Sequence, residues 1–253
     1  MNRLRKLALL SSFPFLVVFS SSAQSSQQAL QYAAQAISAL TGGTAVSDIT
    51  LNGNATRTVG TSVGTGSATF YAKGEYESRI DMVLSSGNRS EIINTSNPSN
   101  GPEGEWIDAN GNANPYSPFN CMTDPVWFYD ALSSLALTNN SNQVLSYIGL
   151  ENLNGESVQH LNSIWNGSTL TSMDFYLDAT TFLPAAANLN IHPDSDATTN
   201  IPVQVLFSNY QSVNGILVPF HIQELLSGTV LLDFTTTSAV INSGLSDSLF
   251  TIQ

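Results

Sequence analysis

The sequence predicts an α+β fold: a curved antiparallel sheet, an incomplete β-barrel, with an N-terminal helix and a mid-chain helix packed on its concave face. Three observations carry that expectation. Strand-length runs alternate apolar with polar residues, the period of a sheet with one wet face. Asn-Gly pairs recur at Asn52-Gly53, Asn110-Gly111, Asn154-Gly155, Asn166-Gly167 and Asn214-Gly215. Such a pair supplies two positive-φ residues cheaply, as a tight two-residue hairpin requires. Only two segments have helical spacing, and many strands with few helices indicate helices laid on one side of an antiparallel sheet.

The first residues are expected to lie outside the fold. Arg3, Arg5 and Lys6 precede an apolar run over 7–19, and Ser21-Ser22-Ala23 places small residues at a cleavage site. This pattern is that of a secretory signal peptide, residues 1–23, cut after Ala23. The run is interrupted by Pro14 and is shorter than the roughly 20 residues a membrane span needs. No cysteine stands at the cut for lipid attachment. Residues 24–253 are then expected to form a single domain in the periplasm or outside the cell, without a transmembrane segment and monomeric.

Residues 25–40 read as a helix. Leu30, Ala33, Ile37 and Leu40 make one apolar stripe, Ser25 or Ser26 can cap its start, and Gly42-Gly43 stops it. Strands follow over 48–52, 68–73, 80–84 and 89–94. Residues 96–118, rich in Asn, Gly, Pro and Ser, read as a loop around a short hairpin between Trp106 and Asn110-Gly111, a candidate flap. A second helix starts at Asp124-Pro125, where Asp caps and Pro suits the first helical position. Its broad face carries Val126, Tyr129, Leu132 and Leu135, with Trp127, Phe128 and Ala131 beside it, and it fades at Asn139-Asn140. Beyond Tyr147-Ile148-Gly149 the hairpins resume, with strands over 158–164, 171–177, 185–191, 203–210, 216–223, 230–241 and 249–252.

The formal charge is −12 and charged residues make up 10% of the chain. Without Arg3, Arg5 and Lys6 the balance becomes −15, and the cations left are Arg57, Lys73, Arg79 and Arg89. Such a surface repels phosphate backbones and anionic lipid headgroups, which excludes nucleic acid as a partner. Cys121 is the sole cysteine, so no internal disulfide can form, and a buried small hydrophobe is expected there.

Several motifs then line up. Tyr147-Ile148-Gly149 is followed by Asn154-Gly155-Glu156-Ser157-Val158. The stretch from Asp174-Phe175-Tyr176 to Phe182-Leu183-Pro184 forms one hairpin. Phe207-Ser208-Asn209-Tyr210 leads to Asn214-Gly215 and Pro219-Phe220, and Asn242-Ser243-Gly244 leads to Leu249-Phe250. With an N-terminal helix entering a strand meander, this resembles the outer-membrane lipoprotein carrier (LolA/LolB-like) superfamily, in a branch of secreted bacterial proteins. The resemblance implies an incomplete, strongly curved barrel whose helices plug an apolar cavity. It also implies a ligand class, since known members carry lipoprotein acyl chains or lipids across the periplasm. A lipid or acylated protein is thus the expected partner.

The residues themselves allow the same cavity. Leu30, Ile37, Phe70, Met82, Trp127, Phe128, Tyr129, Leu132, Phe175, Phe207 and Phe220 fall on apolar strand or helix faces. They are core if the sheet closes on the helices, and cavity lining for acyl chains if it stays open. No catalytic residue is expected. His160, His192 and His221 have no Gly-x-Ser-x-Gly or His-Glu-x-x-His context. Asp194, Asp196, Thr198 and Asn200 resemble the start of a calcium loop, but Thr199 stands where Gly belongs and Val205 where the bidentate acid belongs. No cofactor or metal is expected. The principal expectation is a non-enzymatic carrier. The rivals are an envelope-associated interaction module with a filled core and, furthest off, a secreted hydrolase.

Overall fold

A computed structural model describes residues 25–74, 77–95, 103–117, 120, 135, 142–165 and 168–253. Helix α1 runs Gln27–Thr41, with Ser26 as its N-cap: the Ser26 hydroxyl accepts from Ala29 N at 3.2 Å. Gly42, in the left-handed region at φ 58°, ends the helix and returns its N–H to Ser38 O. The buried face is Ala29, Ala33, Ala36, Leu40 and Thr41. That face is turned from the expected stripe, and Leu30 and Ile37 flank it half-buried. Small alanines let the helix approach the sheet closely.

The described strands are β1 (Asp48–Val59), β2 (Ser62–Lys73), β3 (Glu77–Leu84), β4 (Gly87–Asn94), β5 (Gly104–Ile107), β6 (Ala113–Pro115), β7 (Gln143–Leu153), β8 (Glu156–Trp165), β9 (Ser168–Asp178), β10 (Pro184–Ile191), β11 (Ile201–Val213), β12 (Ile216–Leu226) and β13 (Thr229–Ile241). They form one antiparallel sheet in the order β6-β5-β4-β3-β2-β1-β13-β12-β11-β10-β9-β8-β7. Two meanders, β1–β6 and β7–β13, are joined where the first strand pairs with the last (Ile49 opposite Ile241, Arg57 opposite Leu232). The sheet does not close: β6 and β7 are its edges.

Strong curvature follows from which residues meet. Met82 of β3 and Ile191 of β10 line one cavity, although five strands lie between theirs. In a flat sheet those strands would stand about 29 Å apart at the usual spacing. Glycines permit the bending on the inner face. At Gly66 a Cβ would lie 2.0 Å from Val83 O, so any side chain there would force β2 and β3 apart.

The hairpin turns fall largely where Asn-Gly requires them. Asn154-Gly155 (φ 53° and 96°) joins β7 to β8, and Asn214-Gly215 (φ 52° and 85°) joins β11 to β12. Gly111 (φ 84°) lies in the β5–β6 turn, whose backbone Asp108 grips through Asn110 N and Asn112 N. Asn166-Gly167 lies outside the described residues. Asn52-Gly53 is no turn: it sits inside β1 at a register shift against β13. The expected flap region contains β5 and β6, which extend the main sheet from β4. The expected strand over 249–252 is instead part of a 3₁₀ turn, Asp247–Phe250, for which Ser246 caps. Phe250, fully buried, packs this turn on the convex face beside Ile92, and Arg79 Nη1 donates to Leu249 O at 3.0 Å.

The edge at β7 is occupied by the chain's own N-terminal segment. Ser26 N donates to Leu145 O at 2.8 Å, Leu145 N donates to the Ser25 hydroxyl at 3.0 Å, and Tyr147 N to the Ser26 hydroxyl at 3.2 Å. Free strand groups that would otherwise template a foreign strand are thereby satisfied. The mid-chain helix expected from Asp124 lies outside the described residues except at Leu135, which is helical and fully buried in the core. Cys121 also lies outside them. Among the described residues no helix is long and apolar enough to cross a membrane.

Candidate functional site

The concave face is built by strict alternation. Along β1, Ile49, Leu51, Gly53, Ala55 and Arg57 share one side, the first four buried. Residues directly opposite across a ladder share a face. Met82 faces Arg89, Ile80 faces Glu91, and Glu91 faces Trp106. On the other wing Leu232 faces Glu224 and Val205 faces Glu224. The trough is therefore apolar through its middle and becomes charged at one end, where Arg57, Arg89, Glu91 and Glu224 converge.

That end holds a cavity of about 150 Å³. Its apolar wall includes Met82, Ile191, Leu226 and Leu232, and its polar wall is Arg57, Arg89, Glu91, Glu224 and Tyr116. A second cavity of about 150 Å³ shares Arg57 and Arg89 and reaches Trp106 and Asp108. Arg89 is held twice: its Nε donates to Glu91 Oε1 at 2.5 Å, and its guanidinium lies 4.2 Å above the Trp106 ring. Arg57 differs. It is half-buried, and among the described residues its guanidinium has no hydrogen bond and no ion pair. Burial, reinforced by the charge of Arg89, lowers its pKa below the usual guanidinium value, and the attraction of Glu91 and Glu224 does not make up the difference. Among the described residues the other two Lys and Arg side chains are engaged elsewhere, Lys73 with Asp247 and Arg79 with Asp81.

Asn120 is tied to His192, just past the end of β10. Asn120 Nδ2 donates to His192 O and His192 N donates to Asn120 Oδ1, both at 2.8 Å. The imidazole of His192 is buried, with Nδ1 3.0 Å from Thr199 O.

The expected ligand residues fall in different places. Phe70, Met82, Phe175 and Phe207 are buried in the core cluster, with Ile37 and Phe220 packed against it and Leu30 half-buried on α1. Met82 alone of these lines the charged cavity. Trp127, Phe128, Tyr129 and Leu132 lie outside the described residues. The arginine site was not anticipated. Its signal was present for Arg57, a cation at the apolar parity of Ile49, Leu51 and Ala55. Arg89 needs the β3–β4 register before its face is known.

The convex face carries polar ladders. His160 Nδ1 is 2.8 Å from Glu151 and Nε2 is 3.0 Å from Asp174, with the ring stacked on Tyr176 at 4.5 Å. Asn162 also donates to Asp174. Further along, Ser208 Oγ is 3.2 Å from His221 Nδ1, and His221 Nε2 is 3.2 Å from Asp233. These are the residue types of a hydrolytic triad, but they lie on an open sheet face, and none of them lines any of the cavities described here. A groove of about 390 Å³ beside Asp174, Asn188 and Gln204 is open and polar. In the calcium-like loop, the Asp196 carboxylate accepts from Thr198 and Thr199, whose hydroxyl hydrogen bonds lead in lowering its pKa to about 2. Among the described residues no group of three or more His, Cys, Asp or Glu is placed to hold a metal ion.

An open antiparallel trough with a helix at its concave side is shared with solved proteins. A DUF1329 family protein from Desulfovibrio piger superposes with a TM-score of 0.58 at 15% identity, over 90% of this chain and 98% of the other. A domain from Vibrio parahaemolyticus, described as an outer membrane lipoprotein-sorting protein, gives 0.56 at 14% identity, over 88% and 96%. A LolA superfamily protein from Nitrosomonas europaea gives 0.55 at 13%, over 88% and 97%. The fold is LolA-like. No protein-family model matches the sequence, and no curated protein does. Identities of this size establish the LolA-like architecture and leave the chemistry of the site to this chain's own residues. In that architecture the arginine pair stands at the charged end of the concave face.

Proposed function

We propose that this is an exported, non-enzymatic carrier that shields an acyl chain, lipid or lipoprotein against the concave face of its sheet. The observation that carries the reading is the set of large apolar side chains on the concave face, Leu51, Phe70, Phe175 and Phe207 among them, gathered with α1 in one buried cluster. The LolA-like neighbours, two of them bearing lipoprotein-sorting or LolA names, support the same class of ligand. Each methylene moved from water into such a trough gains about 0.8 kcal/mol, so a long chain is held without specific contacts. The signal-peptide pattern of residues 1–23 supports a periplasmic or extracellular location.

A second reading is favoured by volume. The described cavity of about 150 Å³ is below the roughly 300 Å³ of a typical ligand pocket. Leu135 already occupies the core. An interaction module with a filled core fits that packing. In the carrier reading, the 96–118 region and the helix expected from Asp124 move to admit the chain. Native mass spectrometry of the gently purified protein, with fluorescent fatty-acid titration, separates the two. Co-purified lipid and saturable binding are expected for the carrier. A protein partner in envelope extracts, with neither lipid nor fatty-acid binding, would establish the module.

A further inference from the structure

We infer that the Arg57 end of the trough recognises an anionic oxygen group, phosphate or carboxylate, on the head of the amphiphile whose chain lies along the sheet. The inference rests on the carrier reading and adds a headgroup to it. Four facts of geometry bear on it. Arg57 points into the trough on the parity of Ile49 and Leu51, where an isolated cation has no packing role. Its guanidinium has five N–H donors and, among the described residues, no acceptor. Arg89 lies beside it, already fixed by Glu91 and Trp106, so it adds charge without needing to be ordered by the ligand. The two cavities that meet at Arg57, about 150 Å³ each, are of headgroup rather than acyl-chain size.

The electrostatic balance agrees. Burial and Arg89 disfavour the charge on Arg57 by more than Glu91 and Glu224 favour it. The cavity pairs two guanidiniums with two carboxylates, so the leading cost to Arg57 is burial, which hydrogen bonds from its free donors to an incoming oxyanion offset. The planar guanidinium fork matches phosphate and carboxylate oxygens two at a time, which a lysine cannot do. The rest of the chain is strongly acidic and would repel the same anion, so a partly enclosed arginine pair is the one place on the described surface suited to receive it.

The test compares four probes on the intact exported protein: oleate, oleoyl lysophosphatidate, the uncharged monoolein, and inorganic phosphate. The two anionic amphiphiles should bind at least about tenfold more tightly than monoolein, the scale of one charge-assisted hydrogen-bonded pair. Arg57→Gln should erase that preference while monoolein affinity changes less than about twofold. Arg57→Lys, which keeps the charge and guards against a folding artefact, should retain part of the preference. Arg79→Gln, on the convex face, should retain all of it. Equal binding of charged and uncharged amphiphiles by the wild type would overturn the headgroup inference and leave the carrier reading standing. Binding of inorganic phosphate with no amphiphile bound would overturn the lipid source. No binding of any probe would overturn both readings.

Discussion

Phe70 and Phe234 stack face to face, ring centroids 4.2 Å apart and planes within 15°, across the backbone of Gly53. The two rings come from β2 and β13, the strands that flank β1 on either side. They therefore bridge the seam that joins the two meanders. Contact is possible only because β1 has no side chain there. A Cβ on Gly53 would lie 2.2 Å from Thr235 O and 2.7 Å from the Phe234 ring.

Gly53→Ala should consequently destabilise the fold by about 1–3 kcal/mol, the usual cost of overpacking a core. Phe234→Ala should cost about 3–5 kcal/mol by leaving a cavity. Urea denaturation midpoints measure both. A neutral Gly53→Ala would show that the seam relaxes freely.

Asp48 latches the C-terminal segment to the start of β1. One carboxylate oxygen accepts from Ser243 N at 2.7 Å and the Ser243 hydroxyl at 2.8 Å, and the other accepts from Gly244 N at 3.0 Å. Burial raises the pKa of this carboxyl, but these hydrogen bonds together lower it below 3.8. The sign follows: a depressed folded value contributes stability that is present above the unfolded pKa and is lost as pH falls through the folded one. Asp48→Asn should cost about 1–3 kcal/mol at neutral pH. The gap between wild type and variant should narrow below about pH 3.8, which acid titration of the melting temperature will read.

His160 behaves in the opposite sense. Burial lowers its pKa, yet the hydrogen bonds and charges of Glu151 and Asp174 outweigh burial and raise it above 6.5. Both ring nitrogens face carboxylate oxygens, so only the doubly protonated ring donates to each. Its stabilisation is complete below the unfolded pKa of about 6.5 and disappears as pH rises through the folded value. Because Glu151 and Asp174 are partly exposed, the effect should stay below about 1 kcal/mol. A His160→Gln variant should show a flatter melting temperature between about pH 6 and pH 8 than the wild type.

Ser26 serves helix and sheet together, capping α1 and accepting from Tyr147 N at the β7 edge. Ser26→Ala should cost about 1–2 kcal/mol. Hydrogen exchange at the Tyr147 amide should quicken beyond what a cap loss alone would produce. Unchanged exchange there would assign Ser26 to the helix only.

Local chemistry made much of this fold legible. Ser26 and Gly42-Gly43 bounded the first helix because capping and left-handed termination are decided within a few residues. Asn154-Gly155 and Asn214-Gly215 marked true hairpins because their positive φ angles are needed nowhere else nearby. Asn52-Gly53 misled for a tertiary reason: its glycine is required by the ring of Phe234, which comes from a residue far along the chain. The 3₁₀ turn at Asp247–Phe250 misled likewise, since Phe250 is buried by strands β3 and β4 rather than by a strand partner of its own.

From its sequence alone the chain determined an antiparallel sheet with an amphipathic N-terminal helix, a scarcity of cations, and the parity that turns Arg57 toward the apolar side. Tertiary structure alone decided that β1 meets β13, that the sheet curls until β3 and β10 share a cavity, and that Arg89 comes to stand beside Arg57. The reason is range. Alternation and turn preference are set by neighbours in sequence, whereas pairing between distant strands and the charge balance inside a trough depend on groups that only the folded chain brings within a few ångströms of one another.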